Sequence, residues 1–143
     1  MKKTEGHFTT YWYKERNDYT VNLDISKFEG IIEILQRDAG HKLMVSRQFN
    51  NLFVRSDTEI ESDFMLRLSN KEFLTVARLS FVNKRQGYGT QVFEWLKKFA
   101  RENEYENIMF ESVLTAEMKA FLEKKGFERL SPDSYNWVLS LRK

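Results

Sequence analysis

The middle of the chain carries three short apolar segments that are separated by only a few turn-forming residues. The segments are KLMVS, NLFVR and FMLRLS, and residues such as Asn50, Asn51, Asp57 and Ser62 stand between them. Because gaps this short cannot hold a crossover helix, we expect the three segments to be antiparallel neighbours in one sheet. The chain of 143 residues suits a single domain over residues 1–143, with a core large enough to need no disulfide.

A strand–helix–strand unit follows these segments. The apolar run EFLTVARLSFV predicts a strand, apolar residues at helical spacing predict a helix from Tyr88 onward, and ENIMFESV predicts another strand. Two strands joined by a helix need a crossover connection, which favours parallel pairing. We therefore expect an α/β fold whose sheet is antiparallel early and parallel in the middle.

The flanking segments complete the predicted element order. DYTVNLDI alternates like a half-buried strand, and SKFEGIIEILQRDAG predicts a helix with a capping box from Ser26 to Glu29 that ends at Gly40. TAEMKAFLEKKGF predicts a helix capped by Thr115. SYNWVLSLR predicts a last strand with Tyr135 and Trp137 on one face.

Two glycines lie one residue apart in VNKRQGYGTQVFEWL, between a predicted strand and a predicted helix. A helix start has unpaired amides and a partial positive charge, and Gly87 and Gly89 would let a phosphate approach the backbone closely. Lys84 and Arg85 would add attraction for a diphosphate, and Thr90 could add a hydroxyl donor. The same residues also fit an ordinary tight turn with solvated charges, so both interpretations stay open at this point.

Composition excludes several other classes of function. The 23 basic and 21 acidic residues nearly balance, which argues against a nucleic-acid partner. The two histidines, His7 and His41, have no ligand partners at metal spacing, so we expect no metal. No apolar run approaches the ~20 residues of a membrane span, and MKKTEGHFTTYWY lacks the apolar core of a signal peptide. We expect a cytoplasmic protein with no membrane partner.

The stretch KRQGYG, residues 84–89, resembles the acyl-CoA-binding loop of the GNAT superfamily of N-acetyltransferases. That loop has the pattern Arg/Gln-x-x-Gly-x-Gly/Ala, and Lys84 at its first position is a conservative departure. ARLSFV is similar to the family's fourth strand, and AFLEKKGF to the Lys-x-Gly-Phe signature that ends its fourth helix. The resemblance implies a single GNAT-like domain with a mixed, mostly antiparallel sheet, a central parallel, splayed strand pair, and helices on both faces.

The resemblance also implies a cofactor, with acetyl-CoA as the default acyl donor. Main-chain groups of Leu79 and Phe81 would pair with its pantetheine arm, and Lys84 and Arg85 would lie near its diphosphate. The main-chain amides that would hold the diphosphate are those of Gln86, Gly87, Tyr88, Gly89 and Thr90.

Two departures from the family concern catalysis. The family often has an asparagine that contacts the cofactor arm and a tyrosine general acid seven residues later, where this chain has Thr115 and Leu122. Thr115 is a candidate cofactor contact, and a role as a helix cap explains it equally well. Glu111 in FESV is a candidate general base or a solvent-facing strand residue, and Tyr135 is a candidate acid or a core residue.

The leading hypothesis is an acyl-CoA-dependent N-acyltransferase that acts on a primary amine. Direct attack in a ternary complex is expected because no cysteine can carry the acyl group. The alternative is a catalytically weak or inactive GNAT-fold module that binds a protein or a nucleic acid. The acceptor would be a small molecule or a protein that bears an amine, and a homodimer also stays open.

Overall fold

The computed structural model describes residues 2–5, 10–14, 25–56, 62–82 and 86–142, with the backbone alone for the first two ranges. In this part of the chain, nine strands form one mixed sheet, and three α-helices connect or flank them. The strands are β1 (Lys2–Glu5), β2 (Thr10–Lys14), β3 (Met44–Gln48), β4 (Asn51–Arg55), β5 (Asp63–Arg67), β6 (Phe73–Ser80), β7 (Asn107–Phe110), β8 (Glu128–Arg129) and β9 (Trp137–Ser140). The helices are α1 (Glu29–Ala39), α2 (Tyr88–Glu102) and α3 (Ala116–Lys124).

The sheet order is β1-β2-β3-β4-β5-β6-β7-β9-β8. Strands β3 to β6 are antiparallel neighbours, as the short gaps between the apolar segments predicted. Strands β6 and β7 are parallel and are joined by α2, which confirms the predicted crossover. The parallel pairing of β2 with β3 and the two-residue strand β8 were not predicted. The α/β prediction with a mixed, mostly antiparallel sheet is confirmed.

The start of α1 differs from its prediction. A 3-10 turn over Ile25–Phe28 precedes the helix, and Phe28 stands at the N-cap without a side-chain hydrogen bond. The capping box predicted from Ser26 is therefore not the start of the α-helix. The strand predicted from DYTVNLDI lies outside the described residues except for Ile25, which belongs to the 3-10 turn. Gly40 ends α1 with φ +79°, as predicted.

A single apolar core joins the sheet to the helices. Phe28 packs against Phe99 of α2 at a ring-centroid distance of 5.2 Å. Phe127, which follows α3, lies 5.8 Å from Phe93 of α2 and 5.4 Å from Phe110 of β7. These aromatic contacts pack α2 against the start of α1 and the residue that follows α3.

The parallel strands β6 and β7 part before β6 ends. Their last paired residues are Val76 and Phe110, and the amide of Glu111 still donates to the Val76 carbonyl at 3.0 Å. The amide of Val113 donates instead to the carbonyl of Tyr135 at 2.8 Å, so this segment follows the chain that leads into β9. The predicted splay between the two strands is confirmed.

A β-bulge lies where the two strands part. On β5, Met65 pairs with Arg78 and Leu66 pairs with Val76, so Ala77 is an extra residue on β6. An extra residue reverses the alternation of side chains beyond it. Leu79 consequently packs against the core on the same side as Val76.

Candidate functional site

A cavity of about 480 Å³ lies between the end of β6, the first turn of α2 and the first turn of α3. Seven of the residues predicted to bind a cofactor line it: Leu79, Phe81, Gly87, Tyr88, Gly89, Thr90 and Thr115. Ser80, Glu117, Met118 and Phe121 also line it and were not predicted to bind a cofactor. The fold therefore brings most of the predicted binding residues to one place.

The first turn of α2 lines this cavity, and three of its amides have no partner within the helix. Gly87 is its N-cap, and the first backbone bond of the helix runs from the Gln91 amide to the Gly87 carbonyl at 3.1 Å. No side chain of the described residues caps this end. The amides of Tyr88, Gly89 and Thr90 precede Gln91, the first helical donor, so the helix itself gives them no partner. A partial positive charge accompanies them, which favours an anion at this position.

The two glycines serve different purposes. Gly87 has φ +83°, a conformation that favours glycine, and a Cβ atom there would meet none of the described residues within 4 Å. A Cβ atom on Gly89 would lie 3.4 Å from the ring of Phe121 and 3.8 Å from that of Phe81. Gly87 thus allows the turn and leaves the space beside it open. Gly89 instead leaves room for two aromatic rings to pack against the start of α2.

The first turn of α3 closes the opposite wall of the cavity. The Thr115 hydroxyl accepts a hydrogen bond from the Met118 amide at 3.2 Å, which confirms the predicted cap. The same residue lines the cavity, and its hydroxyl retains a proton to donate. Glu117 also lines this wall, whereas the sequence predicted for it only a place in the first turn of the helix.

Glu111 lies at the point where β6 and β7 part and does not line the cavity. The Arg67 guanidinium donates to both of its carboxylate oxygens, at 2.8 and 2.9 Å. The Glu111 side chain is about one quarter exposed (26%), so solvent reaches the pair. Any proton donor that approaches Glu111 must therefore share a carboxylate oxygen with Arg67.

The remaining predicted residues lie elsewhere. Tyr135 is 59% exposed and does not line the cavity, so its interpretation as a core residue is wrong. Gln86 is exposed beside Gly87 and is not part of the cavity wall. Lys84 and Arg85 lie outside the described residues. Leu122 is fully buried, and it offers no proton at the position where the family often has its acid.

No family model matches the chain, and no curated protein matches its sequence. Among solved structures, a GNAT-family acetyltransferase from Staphylococcus aureus Mu50 aligns with 85% of this chain and 98% of its own, at 13% identity and a TM-score of 0.50. The chain has a GNAT-like fold.

Other structures with the GNAT-like fold align less completely. Ard1 from Thermoplasma volcanium covers 78% of both chains at 13% identity and a TM-score of 0.47. A GNAT family acetyltransferase from Elizabethkingia anophelis with acetyl-CoA bound covers 64% of this chain and 75% of its own, at 14% identity and a TM-score of 0.46. In the described part of the chain, no helix is both long and apolar enough to cross a membrane.

Proposed function

We propose that this chain is an N-acyltransferase that uses acyl-CoA, with acetyl-CoA as the default donor, to acylate a primary amine. The observation that carries the proposal is the first turn of α2, whose amides have no side-chain cap among the described residues and face a cavity. The GNAT-like fold supports the same assignment, because this turn follows β6, the strand that parts from β7.

The residues present fit an acyl-CoA. The amides of Tyr88, Gly89 and Thr90 would hold the diphosphate, and the open space at Gly87 leaves room for it. The end of β6, which β7 no longer pairs with beyond Val76, leaves an edge along which a pantetheine arm can lie. Leu79, Phe81 and Met118 supply apolar surface there, and the Thr115 hydroxyl lies across the cavity.

The proposed chemistry needs a proton acceptor. When bound, an acyl-CoA supplies an acyl group on a thioester that a neutral amine can attack. Glu111, at the point where the strands part, would accept the proton of the amine directly or through a water molecule. Its pair with Arg67 would have to open on one side for this step. A thiolate is a tolerable leaving group, so the role of Tyr135 as an acid stays a separate prediction.

Isothermal titration calorimetry of the protein with acetyl-CoA and with CoA tests the premise. We expect one site with a dissociation constant below about 1 mM, the upper end of the usual range for enzyme substrates. Absence of binding at that concentration would remove both the cofactor and the transferase assignment.

A matched pair of variants tests the proposed base. Glu111→Gln should lower kcat by about 10²-fold or more and leave the KM for acetyl-CoA within about twofold. Glu106→Gln is the control, because Glu106 is also a strand-flanking glutamate that pairs with an arginine, Arg142. Equal rates for the two variants would exclude Glu111 as the base.

A second candidate function is a module that binds its ligand without turnover. It is favoured by the buried Leu122 and by the Arg67 pair that occupies both oxygens of Glu111. An assay for free CoA thiol distinguishes the transferase from the binding module. It measures release from acetyl-CoA in the presence of a broad panel of amines, including peptides with free amino groups. Amine-dependent release supports the transferase, whereas binding of CoA without release supports the module.

A further inference from the structure

Two adjacent residues at the end of α1 contact the chain on both sides of the loop that leads into α2. The amide of Val82 donates to Oδ2 of Asp38 at 2.8 Å. The Arg37 side chain donates through Nη2 to Oε1 of Gln91 at 3.1 Å. Val82 is the last described residue before the loop, and Gln91 lies in the first turn of α2. The end of α1 therefore holds both flanks of the segment that carries Gly87.

The burial of Asp38 indicates that its contact matters. Its side chain is fully buried, on a helix whose other buried residues are all leucine or isoleucine. A buried carboxylate is unfavourable unless hydrogen bonds compensate it, so an aliphatic residue would suit the core better. The ladder between β5 and β6 ends at Ser80, two residues before Val82. Asp38 thus gives the Val82 amide a partner at the point where the sheet no longer provides one.

We propose that Asp38 is a positioning residue for the anion-binding turn of α2. By holding Val82, it fixes where the chain leaves β6, and Arg37 fixes the far flank through Gln91. The two contacts together set the direction in which the amides that follow Gly87 point. The identity of the ligand rests on the proposed function, whereas the positioning of Val82 by Asp38 does not.

Two substitutions of Asp38 separate the hydrogen bond from the branched shape of the side chain. Asp38→Leu keeps the number of heavy atoms but leaves the Val82 amide without its acceptor, whereas Asp38→Asn is isosteric and keeps an acceptor oxygen. We expect Asp38→Leu to raise the dissociation constant for CoA about tenfold, and Asp38→Asn to stay within about threefold of the wild type. The KM for acetyl-CoA should follow the dissociation constant, while kcat at saturation stays within about twofold. Arg37→Met, at an exposed pair, should change affinity by about twofold or less.

Tyr105→Phe is the matched control for a lost buried hydrogen bond. The Tyr105 hydroxyl donates to the Leu68 carbonyl at 2.6 Å, beyond the opposite end of α2. This variant should lose stability and bind CoA like the wild type. An Asp38→Leu variant that binds CoA as tightly as the wild type would overturn the proposal, as would equal losses for Asp38→Leu, Asp38→Asn and Tyr105→Phe.

Amide hydrogen exchange without any ligand keeps the proposal testable apart from the proposed function. In Asp38→Asn, which retains an acceptor, exchange at Val82 and Gln91 should remain close to that of the wild type. In Asp38→Leu, exchange at both amides should rise about tenfold relative to the amides of β4. Unchanged exchange at Val82 would overturn the role of Asp38 even if the protein binds CoA. Conversely, a wild-type protein that binds no CoA would overturn only the proposed function.

Discussion

The two ends of α2 are built in opposite ways. At its C-terminal end, the Phe99 carbonyl accepts from the amide of Asn103 at 3.0 Å and from its side chain at 2.9 Å. The Lys71 ammonium donates to the Asn103 carbonyl at 2.9 Å, and the Tyr105 amide donates to the Ala100 carbonyl at 2.9 Å. At the N-terminal end, Gly87 offers no side chain, and the first turn faces a cavity.

Every α-helix leaves four amides at its N-terminal end and four carbonyls at its C-terminal end without partners in the helix. Both ends of α2 therefore require partners from outside the helix. The protein supplies partners for the C-terminal carbonyls from Asn103, Lys71 and the chain that follows. At the N-terminal end, described polar residues such as Ser80 lie in the same cavity but do not cap the helix. The C-terminal end of α2 thus stabilises the fold, whereas its N-terminal end can bind an anion. Each prediction below tests this difference.

The largest expected effect comes from filling the space at the N-terminal end of α2. Gly87→Trp should raise the dissociation constant for CoA at least about 100-fold, because the indole would project into the space at the helix start. Gly40→Trp is the control, since Gly40 also has a positive φ, +79°, and open space at its Cβ position. Both variants should lose about 1–2 kcal/mol of unfolding free energy from backbone strain, measured by urea denaturation. Normal CoA binding by Gly87→Trp would refute this site.

A substitution at the C-terminal end of α2 should instead change stability and leave CoA binding unchanged. Tyr105→Phe should lower the unfolding free energy by about 1–2 kcal/mol, because the buried Leu68 carbonyl loses its donor, and should leave CoA affinity unchanged. Urea denaturation and calorimetry on the same sample measure the two quantities.

The same tyrosine gives a pH dependence. Burial raises the pKa of Tyr105 above its ordinary value of 10.0, so the unfolded chain ionises this group first as the pH rises. Its contribution to stability is therefore complete below about pH 10 and is lost as the pH rises through the raised folded-state pKa. The stability difference between wild type and Tyr105→Phe should shrink over this alkaline range. A difference that grows with pH would contradict this assignment.

The cap of α3 should give a smaller change. Thr115→Ala should lower the unfolding free energy by about 1 kcal/mol through loss of the bond to the Met118 amide. Thr115→Ser, which keeps the hydroxyl, should recover most of that loss. If Thr115 also contacts the ligand, CoA affinity should fall in the alanine variant and recover in the serine variant. Loss of affinity without loss of stability would show that the cap is not the main role of this residue.

The smallest effect should come from salt. Attraction between the helix start and a diphosphate is partly exposed to solvent, so an increase from about 50 to 500 mM NaCl should weaken CoA binding a few-fold. The stability loss of Tyr105→Phe should not change over the same range, because that bond is neutral and buried. CoA binding that is insensitive to salt would argue for an apolar site instead.

Most of the sheet could be predicted because its connections are short. The gaps between KLMVS, NLFVR and FMLRLS leave antiparallel pairing as the available arrangement, and the crossover requires the parallel pair of β6 and β7. The positive φ of Gly87 also follows from local sequence, since a strand-to-helix turn favours glycine there. These features depend on residues that are close along the chain.

What the sequence did not predict depends on distant contacts. Buried Asp38 accepts from the Val82 amide, and Glu111 pairs with Arg67, each partner being 44 residues away in the chain. Tyr135 was placed on the inner face of a strand by alternation, but β9 begins only at Trp137, so the alternation does not apply to it. The bulge at Ala77 changes which side chains of β6 face the core and leaves no clear pattern in the sequence.

The most direct test of the central claim is a backbone amide NMR titration with CoA and, in parallel, with pantetheine, which lacks the diphosphate. The account predicts that the amide signals of Tyr88, Gly89 and Thr90 shift with CoA and not with pantetheine, while the amide of Asn103 at the other end of α2 stays fixed. Saturation with CoA that leaves those three amides unchanged would contradict it.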